Sequence, residues 1–497
     1  MLQKKTIPYY KAIQLVLLCF TGIFSGYTQI GIGTITPDAS SILDIASTTQ
    51  GLLTPRMTTL QRAAIASPAD GLIVYDTDLK SFVYYEATSL TWTRISSDAN
   101  GRLNFKRVKS SDVLATVLAE ELAAGGGTKY LLNSNTLYEI NGIISLNLPI
   151  DLNNAYLYGL DTNSDIIVSN TGSIFQGASG GSIRGLTLQA TAGSVFSLSG
   201  AATQNLIFRD CVVTGSNSVG TISGFGLVFI SIVQFVGNTN GITYDNITQL
   251  LLSNMGWLGN NSGTYEKLTG TFTLIQKQGG FSHVNGTAIG LDVSTSGLTI
   301  TGDAVLETVV FTGNNPTGYV KPYTTGTYLG YNFNNSWTVR AAGIPTEGDS
   351  NAAGDFSVDY AVGSGASTTF NNSNPSNIVK VQGVSSSSNL FRFSTDGGLN
   401  NRLKYLGKKK RIFQVSGSIS FQVPAAGTYI IYIAKNNVAI SQYKIYGRGL
   451  TVNDIVVLPL SASVELSTND YIEVYAQRYS GGINDAIITP NMTVTIK

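Results

Sequence analysis

Acidic side chains are the first candidates for chemistry in this 497-residue chain. A glycoside hydrolase needs two carboxyl groups about 5–10 Å apart, and a calcium-dependent lyase needs several carboxylates beside a basic side chain. The middle of the chain supplies only these: Glu139, Asp151, Asp161, Asp165, Asp210, Asp245, Glu266, Asp292, Asp303 and Glu307. Two pairs, Glu139 with Asp161 and Asp245 with Glu266, have a spacing of about one turn of a repeating fold, roughly 22 residues. Because the two pairs are far apart in sequence, they predict no shared catalytic centre.

Other charged residues give a similarly weak signal for catalysis. Arg209–Asp210 is the best local pair, with Arg184 about one repeat earlier, and we interpret it as a surface ion pair of little energetic weight. The single histidine, His283, has no Ser, Cys or Asp partner at a recognisable spacing and is interpreted as a turn residue. We therefore expect no catalytic residue, no metal site and no cofactor. A polysaccharide lyase or hydrolase is the alternative hypothesis.

Two groups of residues are candidates for ligand binding. Aromatic rings can stack on sugars, and a Gly/Thr/Asn-rich stretch contains Tyr319, Tyr323, Tyr328, Tyr331 and Trp337. The same rings could equally pack the neck of a trimer. A basic run that could contact acidic glycans consists of Lys408, Lys409, Lys410 and Arg411. The alternative for this run is a solvated turn before a strand.

The composition indicates the class of fold to which these residues belong. Charged residues make up 12% of the chain, whereas apolar residues reach 43% and aromatic residues 10%. Few charges, many turn-forming residues and many β-branched residues are typical of an extended all-β protein. The length predicts about two to four domains. A formal net charge of +1 argues against a nucleic-acid partner, which would need a broad basic surface.

The first 28 residues have the pattern of a signal peptide. Lys4 and Lys5 precede an apolar run, residues 12–24, that is too short for a comfortable membrane span. Cleavage near Thr28 would give an exported, secreted or cell-surface protein that begins near Gln29. The alternative is a virion protein whose apolar N-terminus is an anchor. After cleavage Cys211 is the one remaining cysteine, which excludes an intrachain disulfide.

Residues 29–100 form a small N-terminal attachment or assembly module. A short helix after Pro55, capped by Thr58 or Thr59, is followed by two strands joined by a turn at residues 76–80. So small a unit buries little surface, which favours assembly with copies of itself or with an attachment partner. The segment "GIGTITP…LTPRMTTLQRAAIASPADGLIVYDT" resembles a module of exported surface proteins of Gram-negative bacteria and of phage fibres. The resemblance implies a mounting function and no active site.

Residues 101–129 are interpreted as a linker and a capping helix. Ser110 or Ser111 can cap this helix and Gly125 can end it. Its apolar positions fall on one face: Val113, Leu114, Val117, Leu118 and Leu122.

From residue 130 to 330 short apolar strands recur, as in "NLIFRDCVV", "LVFISIVQF" and "QLLLSNMGW". A recurrence of about 22 residues without intervening helices predicts a right-handed parallel β-helix. The segment resembles the pectate-lyase-like superfamily in architecture, and that resemblance carries no motif for chemistry. We expect one apolar position of each coil to stack in the core, namely Leu186, Ile207, Val228, Leu251 and Leu274.

After a connector at residues 331–375, residues 376–497 alternate regularly, as expected for an antiparallel jelly-roll sandwich. "VSGSISFQVPAAGTYIIYIAKNN…VELSTNDYIEVYAQR" resembles the trimeric heads of the tumour-necrosis-factor/C1q-like class. Both sandwich faces carry apolar or aromatic groups, among them Phe413, Phe421, Tyr429, Tyr432, Tyr471 and Tyr475. Because a monomer would expose one such face, we expect the isolated head to be a trimer.

The order of these parts predicts a homotrimeric exported surface fibre or adhesin-like protein that binds carbohydrate or another host receptor. A phage tail or head fibre is the alternative by origin. The β-helix enzyme is the alternative by class.

Overall fold

The computed structural model describes residues 29–95, 104–370, 378–397, 401–480 and 485–497. The chain forms two compact units, Met1–Arg102 and Leu103–Lys497. The predicted signal peptide lies outside the described residues. In the described ranges no helix is long and apolar enough to cross a membrane.

The first unit contains two small sheets and one short helix. Ile30–Ile32 pairs in parallel with Leu43–Ile45. A second sheet has the strand order Arg56–Met57, Ile73–Asp76, Ser81–Glu86 and Thr91–Arg94. The helix Thr59–Ala63 lies between the first two strands of that sheet in sequence. Such short elements leave little room for a core.

The second unit begins with a parallel β-helix, which confirms the predicted fold class. Its larger sheet, sheet 1, contains Phe105–Lys109, Leu137–Asn141, Tyr156–Tyr158, Gly181–Arg184, Asn205–Thr214, Leu227–Val236, Gln249–Trp257, Thr271–His283, Thr299–Thr312 and Trp337–Ala342, joined by Ile143–Leu146, Ile166–Ser169 and Thr187–Ala190. Sheet 2 lies across the core and contains Tyr130–Leu131, Ile150–Asp151, Phe175–Gly177, Ser194–Ser199, Ser218–Ser223, Ile242–Asp245, Thr264–Thr269, Ile289–Asp292 and Val320–Lys321. Each coil adds one strand to each sheet, so the backbone hydrogen bonds between parallel strands continue from coil to coil.

The core register differs from the predicted stack by one residue at three coils, since Ile275 and not the predicted Leu274 pairs with Leu250. The predicted Leu186 is buried, but Gly181 is the residue that pairs with Leu206 on the next coil. Leu206, Val228 and Leu250 pair in register and are fully buried, whereas Ile207 and Leu251 lie one residue further on the outward face. Because side chains alternate along a strand, a shift of one residue exchanges the two faces. Three consecutive leucines, at positions 250–252, conceal this alternation in the sequence.

The N-terminal end of the β-helix is covered by two short helices, Leu114–Val117 and Ala119–Ala124, where one helix was predicted. Val113 precedes the first helix without a side-chain cap, so the predicted Ser110 or Ser111 cap is wrong, while Gly125 ends the second helix as predicted. Glu121 of the second helix is buried at this end of the core. Its Oε1 accepts hydrogen bonds from Tyr138 Oη and Lys106 Nζ, both at 2.7 Å.

The rest of the second unit is the predicted antiparallel jelly-roll sandwich. Sheet 3 contains Ser385–Ser386, Ala353–Asp359, Ala486–Ile496, Arg411–Gln422 and Ile455–Leu466, with Ala366–Thr369 and Leu390–Phe391 at its side. Sheet 4 contains Phe393–Ser394, Arg402–Tyr405, Tyr471–Ser480, Gly427–Lys435 and Val438–Ala439, with Ile378–Lys380 and Ile445–Gly449. Phe413, Phe421 and Tyr429 fill the space between the sheets. Single turns of 3₁₀ helix occur at Pro316–Gly318, Asp349–Asn351 and Ser441–Tyr443.

The domain boundaries within this unit differ from the predicted residues 130, 330 and 376. The β-helix already includes Phe105–Lys109 and continues through Trp337–Ala342. The sandwich begins with Ala353–Asp359, which pairs with the last strand of the chain. The predicted connector therefore contains the last strand of one domain and the first strands of the next.

Candidate functional site

A buried ion pair joins the helix of the N-terminal unit to its second sheet. Thr58 caps the helix, because its Oγ1 accepts from the Gln61 N–H while the Gln61 side chain accepts from the Thr58 N–H. The helix places Arg62 Nε 2.9 Å from Oδ2 of Asp76, whose carboxylate is fully buried. Burial opposes ionisation there, but hydrogen bonds from Leu79, Thr59 and Asp78 together with Arg62 hold the pKa of Asp76 below its ordinary value.

The apolar side chains of this unit are mostly exposed. Within residues 29–95, Val74 and Val83 are the only apolar side chains of the buried core. The large exposed ones are Ile30, Ile32, Ile35, Ile42, Leu43, Ile45, Leu52, Leu53, Leu60, Ile73, Leu79, Phe82, Leu90 and Ile95. Monomeric soluble proteins rarely expose so many neighbouring apolar groups, so this surface is suited to association.

The predicted aromatic ligand-binding residues lie at the junction of the β-helix and the sandwich. Tyr319, Tyr323 and Trp337 are buried, and Trp337 Nε1 donates to Tyr323 Oη at 3.0 Å. Tyr328 and Tyr331 are half-buried against the ring of Phe391 in the sandwich, with centroid distances of 5.2 and 4.1 Å. In this arrangement the rings pack against residues of the same chain at the junction.

The predicted basic run lies at the same junction. The backbone N–H groups of Lys408 and Lys409 donate to Oδ2 of Asp349, and the Arg411 guanidinium donates to the Asp349 carbonyl. Lys408 Nζ reaches back to the β-helix, where it donates to the carbonyl of Gly302 at 2.5 Å. The side chains of Lys409 and Lys410 are exposed, and Lys410 Nζ lies 3.2 Å from Oε1 of Glu465. The structure thus brings the two predicted groups together at one joint.

The joint also contains residues that the sequence analysis did not single out. Arg392, which is 2% exposed, donates to the carboxylate of Asp349 and to the carbonyl oxygen of Trp337. Glu347 accepts from the backbone N–H groups of Asn332 (2.7 Å) and Phe333 (3.0 Å). Burial raises the pKa of Glu347 to about 6 although both hydrogen bonds oppose this. Arg392 and Asp349 are too far apart in sequence for any spacing rule to pair them.

The two carboxylate pairs considered for catalysis are placed differently. Glu139 accepts hydrogen bonds from Arg107 (2.5 Å) and Tyr158 (2.7 Å), which lower its pKa although burial opposes the shift. Its predicted partner Asp161 accepts from the N–H and side chain of Asn163 in a turn. A carboxylate held ionised in this way is poorly suited to act as a general acid.

The two carboxylates of the second pair, Asp245 and Glu266, lie on opposite sides of sheet 2. Asp245 accepts from Ser223 and Thr269 on the outward side of sheet 2. Glu266 lies on the inward side, fully buried, with its Oε2 2.7 Å from Nζ of Lys277. In the part of the chain that the structure describes, no group of three or more His, Cys, Asp or Glu residues could hold a metal ion.

The remaining candidates lie on the surface of the β-helix. Arg184 and Arg209 both contact Oδ2 of Asp210 at 3.0 Å, so the predicted ion pair includes the residue one coil earlier. His283 ends a strand of sheet 1 and lines an open surface depression with Leu258, Gly259, Asn260 and Phe281.

Comparison with known proteins identifies one region of the sequence. Residues 31–111 match a family described as a phage tail-like trimerisation region. No curated protein gives a significant match to the chain.

Three solved structures are similar at low scores. Murine APRIL is 8% identical to this chain, with a TM-score of 0.19. The aligned part covers 29% of this chain and 98% of the APRIL chain. Eiger TNF from S. frugiperda has 7% identity and a TM-score of 0.20, covering 29% and 90%. The enzymatically active domain of bacteriophage CBA120 tailspike protein 4 has 10% identity and a TM-score of 0.26, covering 90% and 77%.

Proposed function

We propose that the chain is a homotrimeric fibre protein of the phage tail type. The N-terminal unit joins three copies, the β-helix forms the shaft and the jelly-roll sandwich contacts the target. The observation that carries this proposal is the apolar surface of residues 29–95, which lies almost wholly within a segment that matches a trimerisation region. Association would cover side chains that a monomer leaves in water.

The family match favours a virion-associated fibre over the exported adhesin that the first 28 residues predict. Its description names a phage tail-like region. A cell-surface fibre with the same N-terminal module is the second candidate. Recovery of the chain on purified phage particles supports the first candidate, whereas a processed terminus near Gln29 on cell-surface material supports the second.

The proposed activity is binding of a host receptor, with surface carbohydrate as the first class to test. Binding is proposed in preference to catalysis because Glu139, Asp161, Asp210 and Asp245 already accept hydrogen bonds or ion pairs from neighbouring side chains. Purified full-length protein should bind bacterial cells, and removal of their surface polysaccharide should abolish binding. Release of new reducing or unsaturated sugar ends from the polysaccharide would instead identify an enzyme.

The trimer is tested by sedimentation equilibrium of the full chain at micromolar concentration. The expected mass is that of three copies. Leu53→Ser and Leu60→Ser together remove two of the most exposed apolar groups of the N-terminal unit and should weaken the trimer. Val362→Ser changes a fully exposed apolar residue outside that unit and serves as the control. A wild-type chain that sediments as a monomer would overturn the proposal.

A further inference from the structure

One outward position of sheet 1 is apolar on most coils. At this position one residue from each successive strand of sheet 1 pairs in register with the next. Together these residues form a continuous column along the β-helix, which we name the outer column. Its first seven positions include Phe105, Leu137, Tyr156, Ile207, Phe229 and Leu251, with Ser182 between Tyr156 and Ile207. Gln276, Val305 and Thr338 complete it.

These side chains are not part of the β-helix core. Tyr156 is 56% exposed, and the other apolar members are half-buried because neighbours in the column shield one another. The residues on either side of them along each strand, such as Leu206, Phe208, Val228 and Ile230, point inward and are fully buried. The outer column is therefore a second apolar surface, separate from the core.

The opposite side of the same β-helix shows what a solvated face looks like. In register on sheet 2, the outward positions are Ser197, Thr221, Thr243 and Lys267. Both faces belong to the same coils, yet their outward side chains are polar on sheet 2 and mostly apolar in this column of sheet 1. The difference in side chains therefore points to a partner on sheet 1.

The neighbouring outward column, two residues further along each strand, is charged but internally neutralised. Arg107 pairs with Glu139, Arg184 and Arg209 pair with Asp210, and Arg340 pairs with Glu307. Such a column resembles the polar rim that borders the apolar centre of protein interfaces. Charges already satisfied within one chain need no new partner when a second chain approaches.

The size of this face is sufficient for a stable contact. Ten strands at about 4.8 Å spacing make the outer column about 40 Å long. With a width of about 17 Å for five residues, the strip covers on the order of 700 Å². A standard interface buries about 800 Å² per partner.

We propose that the outer column is the surface through which the β-helices of three copies of this chain pack in parallel, facing the threefold axis. Its first member, Phe105, lies inside the segment 31–111 that matches a trimerisation region. In a parallel trimer a column at the axis places each residue against its own copies. Apolar side chains tolerate this arrangement, whereas a column containing Glu139 or Arg209 would place like charges together.

This inference rests on the proposed trimer, and its test separates the two. In the full chain carrying Cys19→Ser, Phe229→Cys should form an interchain disulfide under mild oxidation, seen as a dimer band on a non-reducing gel. Thr243→Cys on sheet 2 is the matched control and should remain a single chain. Among the described residues Cys211 is the only native cysteine, and it is buried with its thiol pKa raised to about 12 by that burial, so it should not contribute.

A second pair of variants measures the energetic contribution of the column. Leu251→Asp should raise the protein concentration at which half of the trimer has dissociated at least tenfold, while circular dichroism shows intact β-structure. Thr243→Asp should leave both unchanged. If the wild type is a trimer but Phe229→Cys does not cross-link and Leu251→Asp dissociates normally, this inference is wrong and the proposed function stands. A monomeric wild type overturns both.

Discussion

At the scale of single residues, the β-helix core contains one buried ion pair among apolar side chains. Lys277 occupies the inward position between Leu252 and Leu306 in the coil register and is 3% exposed. Its Nζ lies 2.7 Å from Oε2 of Glu266, which enters the core from sheet 2. Two charges taken out of water are tolerated because each is the partner of the other.

Removing one member of this pair should be far more costly than removing both. Lys277→Met leaves the Glu266 carboxylate unpaired in an apolar core and should reduce the free energy of unfolding by about 3–5 kcal/mol. The double variant Lys277→Met with Glu266→Leu should lie within about 1 kcal/mol of the wild type or above it. Chemical denaturation compares the three proteins. Equal stability of the single and double variants would show that the pair is not coupled.

Glu347 should make stability depend on pH. Its pKa in the folded chain is about 6, above the ordinary value of 4.5, so folding favours the protonated form. The contribution is therefore fully present below pH 4.5 and is lost as the pH rises through 6. The shift corresponds to about 2 kcal/mol. Relative to Glu347→Gln, the wild type should lose about this amount between pH 4 and pH 7 in denaturation experiments. A pH-independent difference would contradict the assignment.

At the scale of elements, long strands of sheet 1 bend at one corner of each coil. The bend is made by a residue with positive φ: Asp210 (55°), Ile232 (55°), Asn254 (51°), Gly279 (65°) and Thr308 (58°). Gly, Asn and Asp adopt this left-handed conformation readily, whereas a β-branched side chain is strained in it. Ile232 is also 53% exposed, so it gains little from burial.

The left-handed conformation at the corner predicts that two substitutions change the free energy of unfolding in opposite directions. Ile232→Asn should raise the free energy of unfolding by about 1 kcal/mol because it relieves the left-handed strain. Asn254→Ile introduces the same strain one coil later and should lower it by a similar amount. Thermal unfolding of both variants beside the wild type measures the effect. A stabilising Asn254→Ile would rule out backbone strain as the explanation.

At the scale of the second unit, the joint between the β-helix and the sandwich is held by one buried guanidinium. Arg392 comes from the sandwich, whereas the Trp337 carbonyl belongs to the last strand of the β-helix. Asp349 lies between them and binds Arg392, two backbone N–H groups of the basic run and Arg411. This network couples the two domains mechanically.

Loss of Arg392 should uncouple the unfolding of the two domains. Arg392→Ala leaves the buried Asp349 carboxylate without its charged partner, which should cost about 3–5 kcal/mol. We expect calorimetry of the variant to show separate transitions for the β-helix and the sandwich where the wild type shows a common one. Arg448→Ala, at an exposed position of the sandwich, is the control and should not change the pattern. A single unchanged transition in Arg392→Ala would show that the joint is held by other contacts.

The sequence by itself determined the features that depend on neighbouring residues. Alternation and turn residues gave the all-β class, the coils and the sandwich, because strand period and turn chemistry are local properties. The Thr58 cap and the helix end at Gly125 followed from rules for residues a few positions apart. The N-terminal motif indicated an assembly module, and the match at residues 31–111 supports that interpretation.

The tertiary structure was needed for the features that depend on contacts between residues far apart in sequence. Among the three consecutive leucines, Leu250 and Leu252 were found to point inward because they pair with Val228 and Ile230 on the previous coil. The sandwich was found to begin at Ala353 because that strand pairs with the last residues of the chain. The aromatic connector and the basic run became one joint through Asp349 and Arg392. Such contacts bring together residues far apart in sequence, and their energies depend on a packing geometry that no local pattern records.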